Sequence, residues 1–271
     1  MKSRTPLKVP AACAALCLAL LFSAGCKSKP VQISPEIASS DEALFKLGEA
    51  ELAKNPDKGI LYLRQVIDSF PKSFYAQRAK LLIADTYFKK GDEANLILAA
   101  GEYREFIRAY PYSPSAAYCQ YQIALSYYKK ILKPGCDPTR TSQALAEFKK
   151  VVADYPASDE AKQAQDKIQD CEERLATHVA GIGIQYDHMR SYRAAISRLT
   201  DVMTTYPNYS RMDEVYYYLG EAHFRANALD QAVPYYTKVV SDYPKSPYIK
   251  KATKRLKEIE ARKKLSPGKA A

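Results

Sequence analysis

Five aromatic–proline steps divide this chain: Phe70-Pro71, Tyr110-Pro111, Tyr155-Pro156, Tyr206-Pro207 and Tyr243-Pro244. Their prolines lie 40, 45, 51 and 37 residues apart. Proline has no N–H to donate and disfavours helix in the residue before it, so a helix reaching such a step stops there. Each interval holds enough apolar periodicity for two amphipathic helices. Pairs of that kind bury their apolar faces by stacking on one another, which predicts an all-α repeat array.

The fourth and fifth copies define the unit. Ile182-Gly183 leads to Tyr186, Ala195, Leu199, Val202 and Pro207, and Leu219-Gly220 leads to His223, Ala232, Tyr236, Val239 and Pro244, with 24 residues from glycine to proline in both. The pattern resembles the tetratricopeptide (TPR) repeat, in which a small residue lets two helices touch and large residues fill behind it. Looser copies start at Leu47-Gly48, Ala84 and Ala124, the third enlarged by an insertion over 131–139 that should be a structured loop. Ser73, Ser113, Ser158, Ser210 and Ser246 follow the prolines as expected N-caps, with Pro114 and Pro247 at first helical positions. The long 156–207 interval predicts an extended helix over about 159–178. Pro234 would end the first turn of a helix capped by Asp230, and a slightly later helix start would also fit. The expected fold is thus a TPR-like αα superhelix (solenoid) of about five helix pairs, repeats 41–71, 75–111, 115–156, 171–207 and 211–244, plus a capping helix over 246–264 and a disordered tail over 265–271.

The N-terminus predicts the compartment. Lys2, Arg4 and Lys8 precede an apolar run from Val9 to Phe22 that is too short to span a membrane and reads as a signal peptide over 1–25. It ends Ser23-Ala24-Gly25-Cys26, which resembles a bacterial lipobox, with Ser23 where leucine is usual. Cys26 is the expected lipidation site, and ordinary signal cleavage with Cys26 incidental is the alternative. Acyl chains would anchor the chain without a transmembrane helix. Lys27 rather than aspartate follows the cysteine, which by the same resemblance directs the protein to the periplasmic face of the outer membrane. Residues 26–40 would be a flexible tether.

The net charge of +11 is unevenly spread. The signal carries +3 and residues 245–271 carry +8, so the body is neutral and the basic character lies in the last helix. That helix reads as a docking surface for an acidic partner or anionic lipid headgroups, or as a solvated face. An extracytoplasmic location argues against nucleic acid. Of the cysteines beyond Cys26, Cys119 reads as core, and Cys136 with Cys171 is a candidate disulfide pair. His178, His188 and His223 have no second ligand at metal spacing, and Gly181-Ile182-Gly183 has no strand before it. No cofactor, metal site or catalytic constellation is expected, and the chain reads as a binding protein rather than an enzyme.

TPR arrays bind peptides on the face made by the first helix of each pair. Mapped onto this chain, that face carries Phe45, Glu49, Leu81, Asp85, Phe88, Tyr118, Tyr121 and Tyr128, edged by Lys89 and Lys129. Aromatic rings offer contact area at low entropic cost, and lysine can meet a terminal carboxylate. Packing between repeats is the competing role for each ring.

The lipobox, the divergent repeats, Phe106-Ile107-Arg108 with Pro111 and Pro114, the Ala194–Pro207 stretch containing Ser197-Arg198-Leu199, and the basic closing helix together resemble the BamD (YfiO) family of outer-membrane β-barrel assembly lipoproteins. The resemblance implies a subunit of the barrel assembly machinery. Its N-terminal repeats would receive the C-terminal strand of unfolded outer-membrane proteins, and its C-terminal repeats would hold the POTRA region of a BamA-type subunit, beside other Bam lipoproteins. It also implies Arg198 as an interface residue. A periplasmic TPR scaffold of the Tol–Pal-associated CpoB type is the rival, although residues 27–40 lack the heptads such proteins carry.

Overall fold

Phe70, Tyr110, Tyr155, Tyr206 and Tyr243 share one backbone conformation, with φ between −134° and −122° and ψ between 52° and 66°. In the first four the amide donates to the carbonyl four residues back, closing the helix just before proline breaks it. The computed structural model describes residues 34–265. The signal peptide, Cys26, most of the expected tether and the tail beyond Leu265 lie outside the described residues.

The described residues form α1 (Pro35–Ala38), α2 (Asp41–Leu52), α3 (Pro56–Ser69), α4 (Phe74–Lys90), α5 (Glu93–Ala109), α6 (Ala116–Tyr128), α7 (Thr139–Asp154), α8 (Asp159–His188), α9 (Tyr192–Thr205), α10 (Met212–Arg225), α11 (Leu229–Asp242) and α12 (Ile249–Leu265). Each helix packs on the next. In addition α2 meets α4, α6 meets α8 and α8 meets α10, so first helices neighbour first helices along one face. The fold is an all-α, TPR-like superhelix of paired helices.

Its core is a series of similar clusters, each spanning a helix pair and the first helix of the next. The glycines explain how closely the pairs approach. A Cβ on Gly48 would lie 2.9 Å from Leu63, on Gly183 2.8 Å from Leu199 and on Gly220 2.7 Å from the Tyr236 ring. The residue that fills each contact is the large residue of the same repeat, as the pattern predicts.

Helix α8 is longer than expected. It runs 30 residues without a break, and its two halves serve different cores. Ala161, Ala164, Ile168 and Cys171 pack with α6 and α7, whereas Ala176 and Ala180 pack with α9 and α10. The extra length of the fourth interval is therefore helix, not loop.

Other expectations need correction. Ser73 and Ser158 cap α4 and α8, accepting from the Tyr75 and Ala161 amides. Ser113 and Ser246 instead accept from the amide two residues on, in a turn that precedes α6 and α12, so Pro114 and Pro247 lie before the helices. Ser210 donates to the Glu173 carboxylate and caps nothing. Helix α11 begins at Leu229, which puts Pro234 inside it on an exposed position, where water can satisfy the carbonyl left without a donor. The end of the expected tether is ordered: α1 lies there, and Ile37 packs on the first cluster. Cys136 is exposed and Cys171 buried, and both are free thiols, so the candidate disulfide is not formed. The loop after α6 is held to α8 by His178, whose Nδ1–H donates to the Pro134 carbonyl at 2.7 Å.

Candidate functional site

Four of the predicted groove residues gather around one buried ring. Tyr103 on α5 is fully buried, and its hydroxyl donates to Asp85 on α4 at 2.6 Å. Tyr118 on α6 donates to the same carboxylate oxygen at 2.9 Å. Phe88 meets Tyr103 edge-on at 6.4 Å, Tyr118 does so at 6.2 Å, and half-buried Leu81 packs on the same cluster. Burial and then the Asp85 charge push the Tyr118 phenol up to about 12, and the same causes raise Tyr103, so both stay protonated donors.

The remaining positions lie apart from that cluster. Tyr121 is buried with its ring 5.6 Å from Phe148, and Tyr128 meets the same Phe148 at 5.8 Å while donating to Asp170 at 2.8 Å. Phe45 is only 2% exposed and packs 5.4 Å from Tyr75. Glu49 and Lys89 are exposed.

Three of these rings are covered by a cation from further along the chain. The Arg78 guanidinium lies 4.7 Å from the Phe45 ring, the Lys129 ammonium 4.2 Å from Phe88 and the Lys167 ammonium 4.7 Å from Tyr128. Each cation belongs to the next first helix or its end, so ring and charge alternate along the face. These are favourable cation–π distances. Arg78 and Lys167 were not singled out from sequence. Their signal is a separation of about one repeat from the ring they cover.

The C-terminal repeats are organised by buried ions. Glu221 on α10 is 1% exposed and Asp187 on α8 is fully buried. Arg225 bridges them at 2.9 Å and 2.5 Å, and Arg255 of α12 reaches Glu221 with two nitrogens. Tyr236 donates to Glu221 at 2.7 Å, and Tyr248 to Glu214 at 2.7 Å. Arg198 lies on α9 with an exposed side chain 3.7 Å from Asp201. Its neighbour Leu199 fills the Gly183 contact, so the arginine stands at a tightly held point of the α8–α9 pair.

The histidines serve separate contacts: His188 meets Tyr218 at 6.0 Å and His223 stacks on Tyr235 at 5.4 Å. Among the described residues no three His, Cys, Asp or Glu side chains are placed to share a metal, and no helix is long and apolar enough to cross a membrane.

Stacked helix pairs that present one face of half-buried rings and cations define a TPR-type scaffold protein. Residues 37–232 match the family model described as YfiO, outer membrane lipoprotein, and the chain belongs to that family. It is similar to the outer membrane protein assembly factor BamD of Caulobacter vibrioides, with 29% identity covering 82% of this chain and 73% of the relative. The BamD of Rickettsia prowazekii is 26% identical over 94% of this chain and all of that protein. Among solved structures, the TPR2AB domain of yeast Sti1 aligns with a TM-score of 0.38 at 13% identity, covering 77% of this chain and 78% of that one.

Proposed function

We propose that this chain is an assembly factor of the outer membrane, holding unfolded β-barrel proteins and the subunit that inserts them. The observation that carries this reading is the family match across 37–232, together with BamD relatives aligned over most of their length. In this reading the first three repeats receive the client. Leu81, Asp85, Phe88, Tyr118 and Tyr128 form the accessible part of the groove, Phe45 and Tyr121 support it from below, and Lys129 and Lys167 meet an acidic group or terminal carboxylate. An extended strand ending in an aromatic residue matches rings alternating with cations.

Arg198 and the C-terminal repeats would dock the POTRA region of a BamA-type subunit, alongside other Bam lipoproteins. Cys26 would carry the lipid that holds the protein at the periplasmic face of the outer membrane. The scaffold acts by holding and orienting its partners, without chemistry of its own.

Depletion should lower outer-membrane levels of barrel proteins, and the protein should co-purify with the BamA-type subunit from solubilised membranes. Normal barrel levels on depletion overturn the reading. A photocrosslinker at Phe88 should capture a peptide with an aromatic C-terminus, whereas one at Tyr112, which is 99% exposed and outside the groove, should not. Cys26→Ala should release the protein from the membrane fraction, and unchanged fractionation refutes the anchor.

A further inference from the structure

Helix α12 has two differently charged faces. Its inward side is neutralised and fixed: Arg255 pairs with Glu221 and Glu258, Arg262 with Glu258, and Lys263 with Asp230, while Ala252 and Ile259 are buried. Lys250, Lys254, Lys257 and Lys264 point elsewhere. All four are exposed, and none lies within 4 Å of a carboxylate among the described residues. At 100° per residue they fall within an arc of about 80° and span about 21 Å, with only Ala261 interrupting the stripe. Leu265, 84% exposed, follows on the same side.

We propose that this lysine stripe docks α12 on an anionic bilayer, its ligands the phosphates of acidic phospholipids. Charge complementarity supports that occupant, since the +8 of residues 245–271 stands against a neutral body and the stripe lines up four of its cations that no ion pair offsets among the described residues. Residue type favours lipid over an acidic protein. Protein interfaces are enriched in Tyr, Trp and Arg and depleted in Lys, and here both arginines of α12 are engaged within the chain, by carboxylates and by the Phe224 ring. Four hydrated point charges in a line, ending in one exposed leucine, suit a headgroup layer that needs no fixed register. Anchoring by acyl chains is strengthened by a basic patch, so the stripe would supply a second membrane contact at the opposite end of the chain from Cys26. The inference does not depend on the role in barrel assembly.

The test uses residues 26–271 with Cys26→Ser, which retains every described residue, and vesicles of phosphatidylcholine with or without about a third phosphatidylglycerol at about 0.1 M salt. The protein should co-sediment with the anionic vesicles only. Each Lys→Gln change at 250, 254, 257 and 264 should weaken binding about fivefold, and the quadruple variant should lose it. A variant with equal charge change elsewhere, K54Q/K72Q/K133Q/R193Q, should bind like the parent, and thermal unfolding should show both variants folded. Equal loss in the two quadruple variants overturns the stripe. So does a parent that ignores anionic vesicles, including one whose stripe instead captures an acidic protein.

Discussion

Arg255 holds Glu221 with two nitrogens, Nε 2.7 Å from one carboxylate oxygen and Nη2 3.0 Å from the other. The pair joins the closing helix to α10 and is buried at its acidic end. Removing the arginine leaves that carboxylate with Arg225 and the Tyr236 hydroxyl. Arg255→Ala should cost about 2–4 kcal/mol in urea unfolding and expose α12 amides to hydrogen exchange. Arg262→Ala, removing a half-exposed pair with Glu258, should cost under about 1 kcal/mol.

The same carboxylate sets an acid limb. Burial pushes Glu221 up, but hydrogen bonds from Arg255 and Tyr236 and the charges of both arginines outweigh it and hold the group below 4.5. A depressed folded value gives stability that is present above the unfolded value and lost as pH falls through the folded one. Asp187 acts in the opposite sense: burial, partly offset by Arg225 and reinforced by Glu221, raises it above 3.8, so its protonation favours the fold. Urea midpoints followed downward through pH 4.5 and 3.8 should therefore decline less steeply in Glu221→Gln and more steeply in Asp187→Asn than in the parent.

Glycine substitutions should separate by contact. Gly220→Ala drives a methyl into the Tyr236 ring and should cost about 1–3 kcal/mol. Gly101 and Gly181 lie within helices with no atom within 4 Å of an added Cβ. Alanine there should stabilise by roughly 0.5–1 kcal/mol in thermal unfolding.

Asp85 should be more sensitive than its half-buried position implies. Asp85→Ala orphans the hydroxyls of Tyr103 and Tyr118 and should cost about 2 kcal/mol, whereas Tyr118→Phe, which removes one bond and no ring, should cost about 1 kcal/mol. If the groove receives clients as proposed, peptide affinity should fall in both variants.

Thiol labelling of the native protein should modify Cys136 rapidly. Cys119 and Cys171 should react only after unfolding, because both are buried and their thiols are pushed up to about 12, first by burial and then by Asp85 and Asp170 respectively.

Much of this architecture is legible in the residues because it depends on local rules. A proline ends a helix wherever it falls, and a glycine 16 residues before a large side chain marks the contact between Gly183 and Leu199 and between Gly220 and Tyr236. What sequence reasoning missed depends on which faces meet. Glu221 and Arg255 are 34 residues apart, and nothing local pairs them. One missed feature did leave a trace. Asp85 and Glu221 each follow the small contact residue of their repeat, and each accepts from the tyrosine of the second helix, Tyr103 or Tyr236. The full length of α8 was hidden because Ile182-Gly183 opens the fourth repeat's pattern, which reads as a separate helix after 159–178 rather than a continuation of it.

That unbroken helix has a mechanical consequence. Thirty residues make a rod of about 45 Å, and both neighbouring cores are clamped to it. A tilt of about 5° imposed at its first turns displaces its last turn by about 4 Å. The two halves of the array are therefore joined by a lever rather than a hinge, and strain applied to one is delivered to the other.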